Sequence, residues 1–359
     1  MSLFSPHPGL GLKNRSVMAP LTRFACKDDG TPSSDLASYY VRRAEAGVGL
    51  IIVESCAVSQ EAKGYKNGAS LFTNEHANAW ASIVEKVHAQ GAKIWVQLFH
   101  AGRLSVSEIS GSHPLAPSPI KPSDYPSFWR PKTENGIVNF QTGTPYQTPL
   151  EMSPSQIENV IKNFENAVSL ANEAGFDGVE IHGAHGYLIH TFLSDISNNR
   201  TDRFGLMNGY EFVEDLVRRC RTKLRPSKLL SFRCSVHMID NPMIRISDSN
   251  NLFTKIIPKL DSAGVDVFHS SEIDARKSVF GSSKSLHEII RSNTEKPIVI
   301  CGAIQSLVEA NRLLQNDNNT LIAFGRNFIS NPNLIELFKF GHEDKIIKFD
   351  YAKHINTVY

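Results

Sequence analysis

The sequence is poor in the features that would assign it quickly to several large classes of protein. Its five cysteines, Cys26, Cys56, Cys220, Cys234 and Cys301, are scattered, odd in number and form no CxxC pair, so neither a disulfide framework nor a zinc or iron–sulfur cluster is indicated. No apolar run approaches the roughly 20 residues a membrane helix requires. The opening residues carry no basic segment followed by an apolar one. Charge of one sign is missing too: 38 Lys and Arg face 36 Asp and Glu, a net of +2, with no basic stripe for nucleic acid. There is no GxGxxG, no Walker-type loop and no HExxH. These absences leave a cytoplasmic protein in a reducing compartment that binds neither nucleic acid nor a membrane.

What is present is a rhythm. Eight short apolar, β-branched runs recur, starting at Ser16, Gly49, Lys93, Asp177, Leu229, Asp266, Pro297 and Leu321. Each ends in polar or glycine residues, and most are followed by a segment of helical periodicity. Near-continuous apolar strands suit a parallel sheet covered on both faces. Eight repeats favour closure into a (β/α)8 TIM barrel, which at 359 residues is expected to be a single domain over 1–359. The clearest helix starts at Ser153, with Pro154 in its first turn and Gln156 placed for a capping box. Its apolar stripe is Ile157, Val160, Ile161, Phe164, Val168 and Ala171, and Gly175 ends it. Residues 104–150, after strand three, are rich in Pro, Ser and Gly and too long for a simple loop. They are expected to form an excursion capping the barrel mouth, or else a surface elaboration.

In such barrels the chemistry sits at the C-terminal ends of the strands. Strand one gives Thr22, strand three Gln97 and His100, strand four His182, His185 and Tyr187, strand five Arg233, and strand eight Gly325 and Arg326. No carboxylate pair and no nucleophile–base arrangement is among them, which argues against a glycosidase or hydrolase. No strand ends in the lysine that a Schiff-base lyase would need. The rim suits an anionic, ring-shaped ligand, with Gly302, Gly325 and Arg326 where many barrels grip phosphate. Several positions keep two readings. His100 either joins the site or satisfies a loop, and Phe99 either packs or meets substrate. Arg233 points either into the mouth or into a helix interface. The HxxH of His182 and His185 lacks a carboxylate partner, so no metal is expected.

At these residues the chain resembles the Old Yellow Enzyme family. The resemblance rests on VMAPLTR (17–23), WVQL (95–98), AGFDGVEIHGAHGYLIHTFLSDISNNRTDRFG (174–205) and AFGRNFISNP (323–332). It implies tightly but non-covalently bound FMN on the barrel mouth and NADPH or NADH as hydride donor. By the same resemblance Ala19, Pro20 and Leu21 lie against the flavin ring, Thr22 is near its C4 carbonyl, and Gln97 is on its pyrimidine edge. Arg233 stands near N1, where reduction builds negative charge. Ser55, Gly302, Ala303, Gly325 and Arg326 complete the seat, which His182 also borders. His182 and His185 would hold the oxygen of an enone, enal or nitroalkene, with Phe99 nearby, and Tyr187 would give a proton to the α-carbon while flavin N5 delivers hydride to the β-carbon.

The chain also departs from the family. After Arg203-Phe204-Gly205 the usual second glycine and Ser/Asn-Arg pattern give way to Leu206-Met207-Asn208-Gly209. Phe24 stands where some members present a tyrosine. Longer relatives with an iron–sulfur motif are set aside for want of cysteines. A catalytically silent flavin carrier and a flavin barrel with another acceptor remain the competing readings. Self-association, the choice between NADPH and NADH, and the physiological substrate stay open.

Overall fold

The computed structural model describes all residues except 128–129, 135, 207–209, 244–245, 247–250, 316, 355–357 and 359. The altered loop therefore lies outside the described residues over 207–209.

Each of the eight apolar runs forms a strand: β1 (Ser16–Met18), β2 (Leu50–Ala57), β3 (Lys93–Phe99), β4 (Gly178–His185), β5 (Leu229–Met238), β6 (Val267–Ser271), β7 (Ile298–Cys301) and β8 (Thr320–Phe324). Each pairs in parallel with the next, and β8 closes on β1 to complete the barrel. Between them run α1 (Ser34–Glu45), α2 (Asn74–His88), α3 (Pro154–Glu173), α4 (Glu211–Lys223), α5 (Leu252–Ala263), α6 (Leu286–Arg291) and α7 (Leu307–Leu314). The expected (β/α)8 TIM barrel is thus the observed one.

Local sequence explains the element boundaries. Ser153 accepts from the Gln156 backbone while Gln156 reaches back to Ser153, and the whole predicted stripe from Ile157 to Ala171 is buried. Past the helix, Gly175 takes φ +85°, the left-handed conformation that costs glycine no Cβ clash. Apolar burial falls into two shells. One lies between strands and helices; the other fills the barrel with Leu12, Val17, Leu50, Ile52, Trp95, Val267, Val299 and Leu321.

Register sets up the site. In the parallel ladders Ser55 stands beside Gln97, Gln97 beside Glu180, and Glu180 beside Ser231. One step nearer the rim, His182 stands beside Arg233 and Arg233 beside His269. A register shift between Val53 and Ser55 brings Ser55 to the inner face, three residues after the inward Ile52, as bulges do when they re-aim a side chain.

Within 104–150 the regular structure is slight: Leu115–Ala116 pairs with Leu150–Glu151, and Lys132–Thr133 with Gly136–Ile137. The segment is tied to the loop after β5 by Arg130, which donates to the Asp240 carbonyl at 2.6 Å. Asp240 is itself held by Arg103 at 3.1 Å, a pair with almost no exposure.

Candidate active site

Two cavities adjoin at the C-terminal mouth. The first, about 360 Å³, is lined by Pro20, Leu21, Thr22, Arg23, Phe24, Ser55, Tyr65, Gln97, His182, His185, Tyr187, Arg233, His237, Ile239, Arg326, Ile329, Phe349 and Tyr351. The second, about 320 Å³, is lined by Ala19, Leu21, Arg233, Glu272, Ile273, Cys301, Gly302, Ala303, Ile304, Gln305, Ala323, Gly325, Arg326 and Asn327. Leu21, Arg233 and Arg326 belong to both. Every site residue singled out in the sequence lines one or the other, with the exceptions of Phe99 and His100. The Phe99 ring is 2% exposed and packs edge-on to Tyr187 at 5.3 Å, behind the cavity wall. His100 is likewise outside the cavities, and its Nδ1 accepts from the Gly102 backbone at 3.0 Å, a loop-stabilising contact. Of the two readings of Arg233, the structure shows the one into the mouth.

The seat fits FMN on its own chemistry. At the second cavity, Gly302 takes φ +151°, and a Cβ there would come within 2.5 Å of the Glu272 carbonyl oxygen. Ala303 follows at φ +48°. This strained turn sits where a phosphate would meet backbone N–H groups. The Arg326 side chain makes no hydrogen bond among the described residues, and Arg233 Nε is buried without a partner. Both guanidinium groups therefore have donors to spare for an anion. The first cavity offers Pro20 and Leu21 as an apolar shelf, with Gln97 and Thr22 as hydrogen-bonding groups along its edge.

The catalytic candidates come from one stretch. β4 carries His182 and His185, and the turn beyond it carries Tyr187. His185 adopts φ +64°, a conformation unfavourable for a histidine that re-aims its ring across the mouth. The rings of His182 and His185 lie 5.3 Å apart, and those of His182 and Tyr187 4.9 Å. Burial, reinforced by the Arg233 charge, holds both histidines well below the ordinary imidazole value, so both are neutral near pH 7. His182 Nδ1 accepts from the Ala184 backbone at 3.3 Å, which leaves the proton on Nε2. For His185, Nε2 lies 3.1 Å from Ser271 Oγ, which already accepts from Arg233 at 2.9 Å. The neutral ring keeps one N–H, and Ser271 Oγ can serve either tautomer, as donor to Nε2 or as acceptor from it. Burial pushes Tyr187 up to about 12.

Sequence reasoning missed other wall residues. The Tyr65 hydroxyl, from the loop after β2, is 2.6 Å from that of Tyr187. His237 stacks toward His185 at 5.1 Å and meets Glu272 at 3.4 Å. Phe349 and Tyr351 reach the first cavity from the far end of the chain, where Ile347 is tied to Asn331 and His354 to Arg23. The tyrosine and histidine carried no local pattern. Only adjacency to a strand end could have flagged His237.

Comparison with known proteins agrees with this geometry. The model of the NADH:flavin oxidoreductase / NADH oxidase family matches residues 3–345. An NADPH dehydrogenase of Bacillus pumilus (strain SAFR-032) is 34% identical over 92% of this chain and 92% of its own length. A putative 12-oxophytodienoate reductase 5 of Oryza sativa subsp. japonica is 31% identical over 94% of this chain and 88% of its own. Among solved structures, an Old Yellow Enzyme homologue from Zymomonas mobilis superposes with a TM-score of 0.84 at 30% identity, covering 99% of this chain and 97% of that one. Morphinone reductase in complex with tetrahydroNAD gives 0.83 at 29% identity, with 98% and 93% covered. Non-covalent FMN is accordingly the cofactor and NAD(P)H the electron donor. With its barrel, its paired cavities and a match along nearly its whole length, the chain belongs to the NADH:flavin oxidoreductase / NADH oxidase family, of the Old Yellow Enzyme type.

Proposed function

We propose that the protein is an ene-reductase that reduces the activated C=C bond of α,β-unsaturated carbonyl or nitro compounds. The observation that carries this reading is the convergence of His182, His185 and Tyr187 on one wall of the cavity that Gln97 and Arg233 also line. FMN, when bound, would supply the hydride-transfer chemistry between the nicotinamide and the activated alkene.

The protein's own groups do the rest. His182 Nε2–H and the ring N–H of His185 hold the substrate's carbonyl or nitro oxygen. Being neutral, they stabilise the charge that develops there without surrendering a proton. Tyr187 remains protonated across the working range because its pKa stands near 12, and it gives its proton to the α-carbon on the face opposite the hydride. The oxygen it leaves behind can accept from the Tyr65 hydroxyl, which spreads the charge. Ile239 and Ile329 keep the alkene in an apolar setting, while Ala19, Pro20 and Leu21 would back the flavin ring. Thr22, Ser55 and Gln97 would hold the flavin edge, and Arg233 would place positive charge where reduction builds negative charge. Gly302, Ala303, Gly325 and Arg326 would hold the ribityl phosphate end.

Anaerobic stopped-flow on Tyr187→Phe separates the two half-reactions. Flavin reduction by NADPH is expected to stay within about twofold of the unaltered enzyme. Reoxidation by 2-cyclohexenone should slow by roughly 10²–10⁴-fold, the usual worth of a positioned proton donor. An unchanged reoxidation rate would remove Tyr187 from the mechanism. Absence of any reoxidation by activated alkenes in the unaltered enzyme would favour a flavin carrier or another acceptor.

A further inference from the structure

One layer below the rim lies a charged pair that the reaction above does not use. Glu180 on β4 and His269 on β6 are fully buried, and His269 Nδ1 stands 2.8 Å from Glu180 Oε2. Ser231 Oγ donates to the same oxygen at 3.0 Å, and Gln97 Nε2 donates to Oε1 at 2.8 Å. Burial pushes the carboxyl up and the imidazole down, yet the partners' attraction outweighs both, lowering Glu180 and raising His269. The 2.8 Å contact, the two further donors on Glu180 and these directions together fit a carboxylate beside an imidazolium. His269 Nε2 faces the Cys301 thiol without meeting it in good hydrogen-bond geometry.

Such a pair is a poor source of stability, since desolvating two ions offsets most of their attraction. The layer beneath shows that this barrel packs well with apolar side chains alone. Its neighbour Gln97 supplies a reason for it. An ionised carboxylate can only accept hydrogen bonds, so the Gln97 amide must turn its nitrogen to Glu180. Its oxygen then accepts from Ser55. One N–H and one lone pair remain for the cavity, and neither can exchange places by an amide flip.

We propose that Glu180 and His269 form a positioning pair for the flavin: Glu180 fixes the Gln97 amide against the pyrimidine edge, and His269 cancels the negative charge Glu180 would otherwise place beneath it. The inference rests on FMN occupying this cavity. Without the His269 cation, an uncompensated carboxylate opposes the charge gained on reduction. Without Glu180, the amide loses its fixed sense.

The test is spectroelectrochemistry on the FMN-loaded enzyme at pH 6, below the ordinary imidazole value above which His269 is raised, together with FMN affinity by fluorescence. His269→Gln should loosen reduced FMN about tenfold relative to oxidised FMN, which for a two-electron couple lowers the potential by about 30 mV. The double variant Glu180→Gln, His269→Gln restores neutrality, so its potential should return to that of the unaltered enzyme while oxidised FMN binds about tenfold more weakly. Should His269→Gln fail to fold, the neutral double variant still carries the test. A potential that is unchanged or higher in His269→Gln, or a double variant with undiminished FMN affinity, overturns the proposal. An unaltered enzyme that takes up no FMN would overturn the cofactor reading instead.

Discussion

Below the level of Gln97 the barrel is closed by Leu12, Val17, Leu50, Ile52, Trp95, Val267, Val299 and Leu321, none more than 3% exposed. Two residues further along the same strands the inward positions are Gln97, His269 and Cys301, joined by Glu180, Ser231 and Arg233. The lower layer gains from apolar burial and close packing. The upper layer bears desolvated charge and polar groups with unused donors. Some of the backbone strain also lies in the upper layer. Phe24, His185 and Ala303, three of the non-glycine residues with positive φ, line the upper cavities. A single strand therefore serves stability at one position and ligand chemistry at the next inward one.

The sharpest way to break that division is at the bottom. Trp95→Ala should cost about 3–5 kcal/mol, the usual loss for a buried large aromatic, while FMN affinity of the folded protein stays unchanged. Urea unfolding with a parallel flavin titration checks this, and a loss under about 1 kcal/mol would deny the lower layer its structural role.

Acid should act mainly on the upper layer. Burial holds His100 and His190 down to about 3 and His182 and His185 well below the ordinary value. Below pH 6.5 the unfolded chain takes up protons that these folded histidines refuse, so stability falls as pH falls. Glu54, pushed up to about 8 by burial, stays protonated when folded and works in the opposite sense, as does His269, which Glu180 raises, but the depressed histidines outnumber them. A net loss of roughly 2–4 kcal/mol between pH 6.5 and 5 is expected from this linkage. Urea midpoints that do not move over that range would contradict it.

A smaller effect is expected from His182→Ala with His185→Ala. Loss of two donors should weaken binding of a phenol, measured by its perturbation of the flavin spectrum, by about 10–100-fold. FMN should remain bound and the unfolding midpoint should shift little. Loss of FMN from this variant would show that the pair serves the seat more than the substrate.

Much of this division was readable in the sequence. Strands such as KIWVQL and DVFHSS announce both layers, because alternation along a strand places Trp95 with Gln97 and Val267 with His269 on one face. The capping box at Ser153 marked its helix to the residue. Legibility ended where chain proximity ended. Tyr65 lies in a loop without periodicity, and Phe349 and Tyr351 reach the mouth because residues distant in sequence, among them Asn331, Ser330 and Arg23, hold the final segment there. The Glu180–His269 pair was hidden for another reason. Its two residues are 89 positions apart, and only barrel closure and register bring them together. Phe99 shows the reverse case, an aromatic beside the site in sequence that packs behind it in space.

The most direct test of the account is the visible absorption of the purified protein, followed anaerobically as NADPH and then 2-cyclohexenone are added. The account predicts a flavin spectrum that bleaches with NADPH and recovers with the enone. A colourless protein that also fails to take up added FMN would contradict it.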